Sequence, residues 1–336
     1  MKKIILLIII LCSFISCDIS KKENFSLSVN TDLIPENEYV YIEYYPENNF
    51  DTKIVLDSIR IKNNKLTFEK PFPYFPISTV IYSKGYSDSK KYYESKRIWI
   101  ENSKMTFTAK DIDFKSGIVT GSDTHQIYEK LKREDYKSEE ELIIENPTNI
   151  ISAYYLNEYK YSYGKAKTLK LYNQLSDNVK KSKDGILIDK YIQINKSPIV
   201  GDKYIDFEIQ NQLGQKVKFS SIKNKMILLE FWASWCGGCR KSNEKLTQVH
   251  AKYKSKGFEI CAISLDSDKN KWIKAIEIDS IKNWVNLSDL KRNNSEIKML
   301  YGVIGVPDNF LIDQNGEIIA RDISSEELDK LLKNKL

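Results

Sequence analysis

Apolar and polar residues alternate in short runs from Phe25 to about Thr120, as in Glu38-Tyr-Val-Tyr-Ile-Glu-Tyr44, Lys53-Ile-Val-Leu-Asp-Ser-Ile-Arg-Ile61 and Lys96-Arg-Ile-Trp-Ile100. A period of two predicts strands with one face in a core. Asn63-Asn64, between Ile61 and Leu66, predicts a hairpin turn, because asparagine tolerates left-handed backbone. Residues 24–120 therefore read as an all-β domain. The period then lengthens to that of a helix, with Ile127 and Leu131, and later Leu169, Tyr172, Leu175 and Val179, on shared faces. Asn146-Pro-Thr-Asn149 predicts a helix start, followed by Ile150, Ile151, Tyr154 and Tyr155. Residues 121–197 are expected to form a helical connector.

From Pro198 strands and helices alternate. Met226-Ile-Leu-Leu-Glu-Phe-Trp232 is an almost continuous apolar strand and Phe258-Glu-Ile-Cys-Ala-Ile-Ser-Leu265 a second. Both read as strands covered on two faces. Leu246, Val249 and Tyr253 keep helical spacing between them. Phe310-Leu-Ile-Asp313, Gln314-Asn-Gly316 and Glu317-Ile-Ile319 predict a hairpin, and Ser325-Glu-Glu-Leu-Asp-Lys-Leu-Leu332 a capped closing helix. Residues 198–336 thus form an α/β domain. Tyrosine supports the boundary near Asn195-Lys-Ser-Pro198, since 18 of the 21 tyrosines precede Pro198. Aromatics can build ligand surfaces, but tyrosine also suits half-buried strands, and that is the favoured reading.

The first residues have another pattern. Lys2 and Lys3 precede an eight-residue apolar run, Ile4 to Leu11, which Ser13, Ser16 and Asp18 end well short of the about 20 residues a membrane span needs. Residues 1–16 read as a secretory signal. Phe14-Ile-Ser-Cys17 resembles a bacterial lipobox, which implies lipidation of Cys17 and a cell-envelope, periplasm-facing chain held by acyl chains on a membrane leaflet. Ordinary cleavage, leaving Cys17 a free thiol, is the other reading. Either places the protein where disulfides persist.

Composition narrows the function. The 336 residues are 41% hydrophobic and 29% charged, a folded and multi-domain balance. Without Lys2 and Lys3, 50 basic residues stand against 46 acidic ones, with no basic block, so nucleic acid is not an expected partner. His125 and His250 are the only histidines, and the five cysteines do not amount to a disulfide scaffold. No metal site and no cofactor is expected.

One motif carries chemistry: Trp235-Cys-Gly-Gly-Cys239, where a buried strand hands over to a helix. At a helix N-terminus free amides and the helix dipole favour a thiolate, which makes Cys236 the exposed nucleophile and Cys239, one turn inward, the resolving thiol. A zinc reading needs two further ligands, and only His250 is near in sequence. Cys261, mid-strand among apolar residues, reads as an inert core residue. Glu230, with apolar neighbours on both parities, is expected to be buried, its pKa raised into the range where it can exchange protons with Cys239. The alternative is a frayed strand end with Glu230 in solvent.

On FWASWCGGCRKSNEKL, FEICAISLDSD and YGVIGVPDNFLIDQNGEIIA, residues 198–336 resemble the TlpA/ResA/DsbE branch of the thioredoxin superfamily. The whole chain resembles, by layout, Bacteroidetes-type envelope lipoproteins with an N-terminal β domain. The resemblance implies a thioredoxin-like fold and a Cys236–Cys239 redox disulfide, with Trp235 preceding the pair. It also implies a cis-proline loop at Val306-Pro307 that leaves the Val306 backbone free to pair with a substrate. It departs from the family where Ser242 and Glu244 replace the glutamate and proline common after the motif. The partner lysine of many thioredoxins falls on Ala262. The implied function is an envelope thiol–disulfide oxidoreductase of the protein disulfide reductase or isomerase type. Its partners would be protein thiols and disulfides and a membrane or periplasmic electron donor. Two alternatives stand beside it. Asp266-Ser-Asp268 and Trp272 also resemble peroxiredoxin-related thiol peroxidases, although Ser234 lies too close to Cys236 for their motif. The second is a binding lipoprotein whose β domain recognises a glycan or a protein.

Overall fold

The computed structural model describes residues 25–44, 54–70, 72, 74, 76–87, 90–110, 114–131 and 138–336. The signal, residues 1–16, and Cys17 lie outside the described residues.

Among the described residues eight strands come first: β1 (Ser26–Thr31), β2 (Tyr39–Tyr44), β3 (Ile54–Arg60), β4 (Lys65–Phe68), β5 (Ile77–Ser87), β6 (Lys90–Ile100), β7 (Lys104–Ala109) and β8 (Ile118–Thr120). They make two four-stranded sheets, ordered β4-β1-β7-β8 and β3-β2-β5-β6. The alternation read from the sequence is the reason: Leu27 and Val29 of β1, Val40 and Ile42 of β2 and Met105 and Phe107 of β7 all point into one shared core. The turn at Asn63-Asn64 forms, with both residues at positive φ, 52° and 60°. It does not join a strand pair of one sheet. A single bridge links Lys62 to Lys65, and then β3 stays with β2 while β4 pairs with β1. Each of these strands buries its apolar residues only by joining a different layer.

Five helices of the described residues follow: α1 (Asp123–Lys130), α2 (Glu139–Glu145), α3 (Ile150–Gln174), α4 (Asp177–Lys180) and α5 (Lys183–Ile194). Asn149 caps α3, its side chain accepting from Ile151 N at 3.0 Å. Gly164 breaks α3 with left-handed backbone (φ 70°). The run Leu169 to Val179 is not one helix, as its spacing suggested: α3 stops at Gln174, and Ser176 opens α4. Trp99 of β6 packs among Leu142, Ile151, Leu156 and Ile188, and so joins the strands to the helices.

The remaining elements are β9 (Glu208–Gln210), β10 (Lys216–Lys218), β11 (Met226–Trp232), α6 (Gly237–Tyr253), β12 (Phe258–Ser264), α7 (Lys269–Ile278), β13 (Val285–Leu287), α8 (Glu296–Tyr301), β14 (Asp308–Asp313), β15 (Ile318–Arg321) and α9 (Ser325–Lys335). The sheet is ordered β13-β12-β11-β14-β15, with β11, β12 and β13 parallel and β14 and β15 antiparallel. This is the thioredoxin-like arrangement that the resemblance implies. Every residue of β11 is buried, because Leu228 and Trp232 face the layer holding α6 and α9 while Leu229 and Phe231 face the opposite core. Deleting a side chain as large as Trp232 from such a strand costs ~3–5 kcal/mol. The closing helix carries a full capping box, but its cap is Ser324 with Glu327, one residue before the serine expected.

Candidate functional site

Strand β11 ends at Trp232, and Ser234, two residues on, is pinned before the chain turns into α6. Ser234 donates to Asp266 through its amide at 3.0 Å and its hydroxyl at 2.6 Å, and Ser264 Oγ donates to the same carboxylate at 2.6 Å. Asp266 therefore ties the ends of β11 and β12 together, which accounts for a residue that the sequence suggested as a peroxidase feature. Arg240, ion-paired to Asp279, donates to Ser234 O at 3.3 Å.

Cys236 is the N-cap of α6 and Cys239 lies in its first turn. Their sulfurs form a disulfide with Cα atoms 5.2 Å apart. Cys239 N donates to Cys236 Sγ at 3.1 Å, so a free helix amide already points at that sulfur. Cys236 keeps 9% of its surface and Cys239 none. A side chain at Gly237 would meet nothing within 4 Å, so the face beside the disulfide is open.

Val306-Pro307 is a cis peptide, and Val306 O lies 3.6 Å from Cys236 Sγ. Trp235 is 46% exposed beside the disulfide, and the Arg292 guanidinium lies 4.9 Å from its ring centroid. Arg292 was not singled out from the sequence. It reaches Trp235 from a 3-10 turn, Arg292–Asn294, that follows β13 in the chain, and only the fold brings the two together.

Glu230 is fully buried, and among the described residues neither carboxylate oxygen makes a hydrogen bond of good geometry, its polar neighbour Asn309 being bonded to the Ile323 backbone instead. Its parity on β11 puts it on the face of Leu228 and Trp232, under the layer that carries Cys239. Burial raises its pKa from 4.5 to about 8; its cross-strand neighbour Asn309 offsets part of this, and Asp308 and Asp322 add to it. On the other side Glu230 is registered with Ala262, so no lysine stands where many thioredoxins have one. Cys261, also fully buried, faces the opposite core, and burial pushes its thiol well above the usual range. His250 is taken up by Glu259, 2.7 Å away.

With this geometry in view, residues 200–321 match the AhpC/TSA family, and residues 22–128 match a domain of unknown function, DUF4369. The chain is 33% identical over 156 residues to the thiol-disulfide oxidoreductase ResA of Bacillus cereus, covering 44% of this chain and 84% of that one. It is 34% identical over 143 residues to ResA of Bacillus thuringiensis, covering 40% and 77%. Among solved structures, a thiol-disulfide oxidoreductase from Bacteroides fragilis is 35% identical, with a TM-score of 0.38, and the likeness covers 40% of this chain and all of that one. A buried strand leading to a disulfide at a helix N-terminus, and 33% identity over 156 residues that cover 84% of a ResA, lead to one conclusion: the chain belongs to the ResA-type thiol-disulfide oxidoreductases of the thioredoxin superfamily.

Proposed function

We propose that the protein reduces or isomerises protein disulfides in the cell envelope through the Cys236–Cys239 pair. In the reduced protein, the Cys236 thiolate attacks one sulfur of a substrate disulfide. The new bond is a mixed disulfide, and the other substrate sulfur leaves as a thiolate that takes up a proton. Cys239 loses its proton and attacks Cys236 Sγ, which expels the second substrate thiol. The substrate gains two electrons, Cys236–Cys239 is oxidised, and a membrane or periplasmic thiol donor returns the pair to the reduced state. The observation that carries this reading is the place of Cys236: an N-cap whose sulfur already accepts an amide, with an open face beside it and the Val306 carbonyl 3.6 Å away. In this reading Trp235, Val306 and Pro307 hold an extended substrate segment, and Glu230 takes the proton from Cys239.

Export and anchoring through a lipidated Cys17 belong to the same proposal, and the apolar run followed by Ser16-Cys17 supports them. A second role for the strand-rich half has its own support. A cavity of about 570 Å³ lies between the strands and the helices, with Tyr44, Tyr74, Trp99, Tyr154, Asn157 and Asp184 in its wall, a lining suited to a bound ligand. The thiol peroxidase reading rests on Asp266-Ser-Asp268 and Trp272, and Asp266 has another use here, accepting from Ser234 and Ser264.

The test is a Cys239→Ala variant expressed in the envelope. Substrates should accumulate on Cys236 as adducts that dithiothreitol releases, and a Cys236→Ala, Cys239→Ala double variant should carry none. Adducts of equal yield in both would refute the assignment of Cys236 as nucleophile.

A further inference from the structure

Two lysines are buried where the helices meet the redox module. Lys160 of α3 and Lys298 of α8 keep 2% and 4% of their surface. Both ammonium groups stand over the ring of Tyr161, at 4.6 and 4.2 Å from its centroid. Ring contact is favourable for each cation but does not neutralise it. Lys160 Nζ donates to Asn157 O and Oδ1, both at 2.7 Å, and Lys298 Nζ donates to Asn293 Oδ1 at 2.9 Å. An ammonium has three N–H donors. One on Lys160 and two on Lys298 therefore remain without a protein acceptor among the described residues.

No carboxylate forms an ion pair with either group among the described residues. Glu158, in the wall of the cavity between the two lysines, and Asp184 favour the charged form of Lys160 without an ion pair to it among the described residues. Glu158 does the same for Lys298, while Arg292 opposes its charge. Burial, and for Lys160 the neighbouring Lys298, lowers their pKa values to about 7 and about 8. Two like charges taken out of water side by side are costly unless an opposite charge joins them. Between them is a polar cavity of about 120 Å³, large enough for more than one water, whose wall includes Glu158, Lys160, Tyr161, Asn293, Lys298 and Ile304, so that two lysines there face one carboxylate.

We propose that this cavity binds a small oxyanion, of the phosphate, sulfate or carboxylate class, held between the Lys160 and Lys298 ammonium groups. The free N–H donors supply charge-assisted hydrogen bonds, the strongest kind available to such a ligand. The site joins two parts of the chain that already touch here: Tyr161 OH donates to Asn293 O at 2.9 Å across 132 residues of sequence. One wall, Ile304, lies two residues before Val306, so the anion would sit against the base of the loop that faces Cys236.

The experiment is calorimetric titration of the purified protein at pH 7.5 with sodium phosphate, sulfate or acetate, against sodium chloride at equal ionic strength. Saturable binding of at least one oxyanion is expected, with heat that depends on the buffer because the lysines take up protons. Saturation by phosphate and sulfate alone assigns a tetrahedral anion, and saturation by acetate as well assigns a carboxylate-bearing ligand. Lys160→Met and Lys298→Met keep the aliphatic stem and remove the charge, so each should fold, melt no lower than wild type without anion, and bind at least ten-fold more weakly. If no oxyanion exceeds chloride, or if folded Lys298→Met binds phosphate as tightly as wild type, the proposal is wrong.

Discussion

Replacing Glu230 with glutamine tests the buried carboxyl directly, because the size of its effect depends on pH in a calculable way. In the folded protein burial lifts its pKa from 4.5 to about 8. In the unfolded chain it returns to the ordinary value, so folding takes up a proton between these two pH values. The contribution of Glu230 to stability is therefore most favourable below about pH 4.5, falls as pH rises through the window, and levels off above about 8. Each pH unit inside the window is worth about 1.4 kcal/mol. At pH 7 the wild-type carboxyl thus costs on the order of 3 kcal/mol against a side chain that does not titrate, and at pH 9 on the order of 5 kcal/mol. Glutamine keeps the volume and polar tip but carries no charge to bury, so Glu230→Gln should match wild type near pH 4.5 and gain stability steadily above it. Local relaxation and entry of water reduce the gain, so about 2 kcal/mol at pH 7 is the expected reading, with a larger one at pH 9. Urea unfolding of the oxidised proteins at pH 5, 7 and 9, followed by tryptophan fluorescence, measures it. The same variant should slow disulfide exchange, at most by about the 100-fold low end of general-base effects, and most above pH 8, where the wild-type group is ionised. A stability difference that stays constant from pH 5 to 9, with unchanged exchange rates from pH 6 to 9, would place Glu230 in solvent and end the proton-relay idea.

Three further expectations concern other parts of the chain. In the reduced protein lacking Cys17, brief alkylation should label Cys236 alone, because Cys239 and Cys261 are fully buried; mass spectrometry showing Cys261 labelled as quickly would reverse the assignment of roles. Cys17→Ser should release the protein from the membrane fraction or block its processing, and membrane association that survives the change would mean that something other than a lipid holds it. Gly302→Ala should destabilise the protein by about 1–3 kcal/mol, since φ is +64° and a Cβ would lie 2.0 Å from Ser197 Oγ. A melting temperature equal to that of wild type would show that the junction between Ser197 and α8 yields at no cost.

The sequence by itself carried the parts of this protein that depend on near neighbours. Alternation drew β1, β2 and β7, because a strand turns successive side chains to opposite faces whatever it packs against. Apolar residues on both parities marked β11 as covered on two sides, and Glu230 inherited its burial from that context. The Trp235-Cys-Gly-Gly-Cys239 spacing, set at a strand-to-helix handover, was enough to locate the disulfide, since a helix N-terminus is itself a local feature. Tertiary structure decided what distant segments share. The sending of β3 and β4 to different sheets around Asn63-Asn64, the tie from Asp266 to Ser234, the Arg292 guanidinium over Trp235 and the meeting of Lys160 with Lys298 over Tyr161 all join residues that no local period relates. Periodicity records which face of an element is buried, but it is blind to the partner that buries it, and the charges and hydrogen-bond donors around this site are set by those partners.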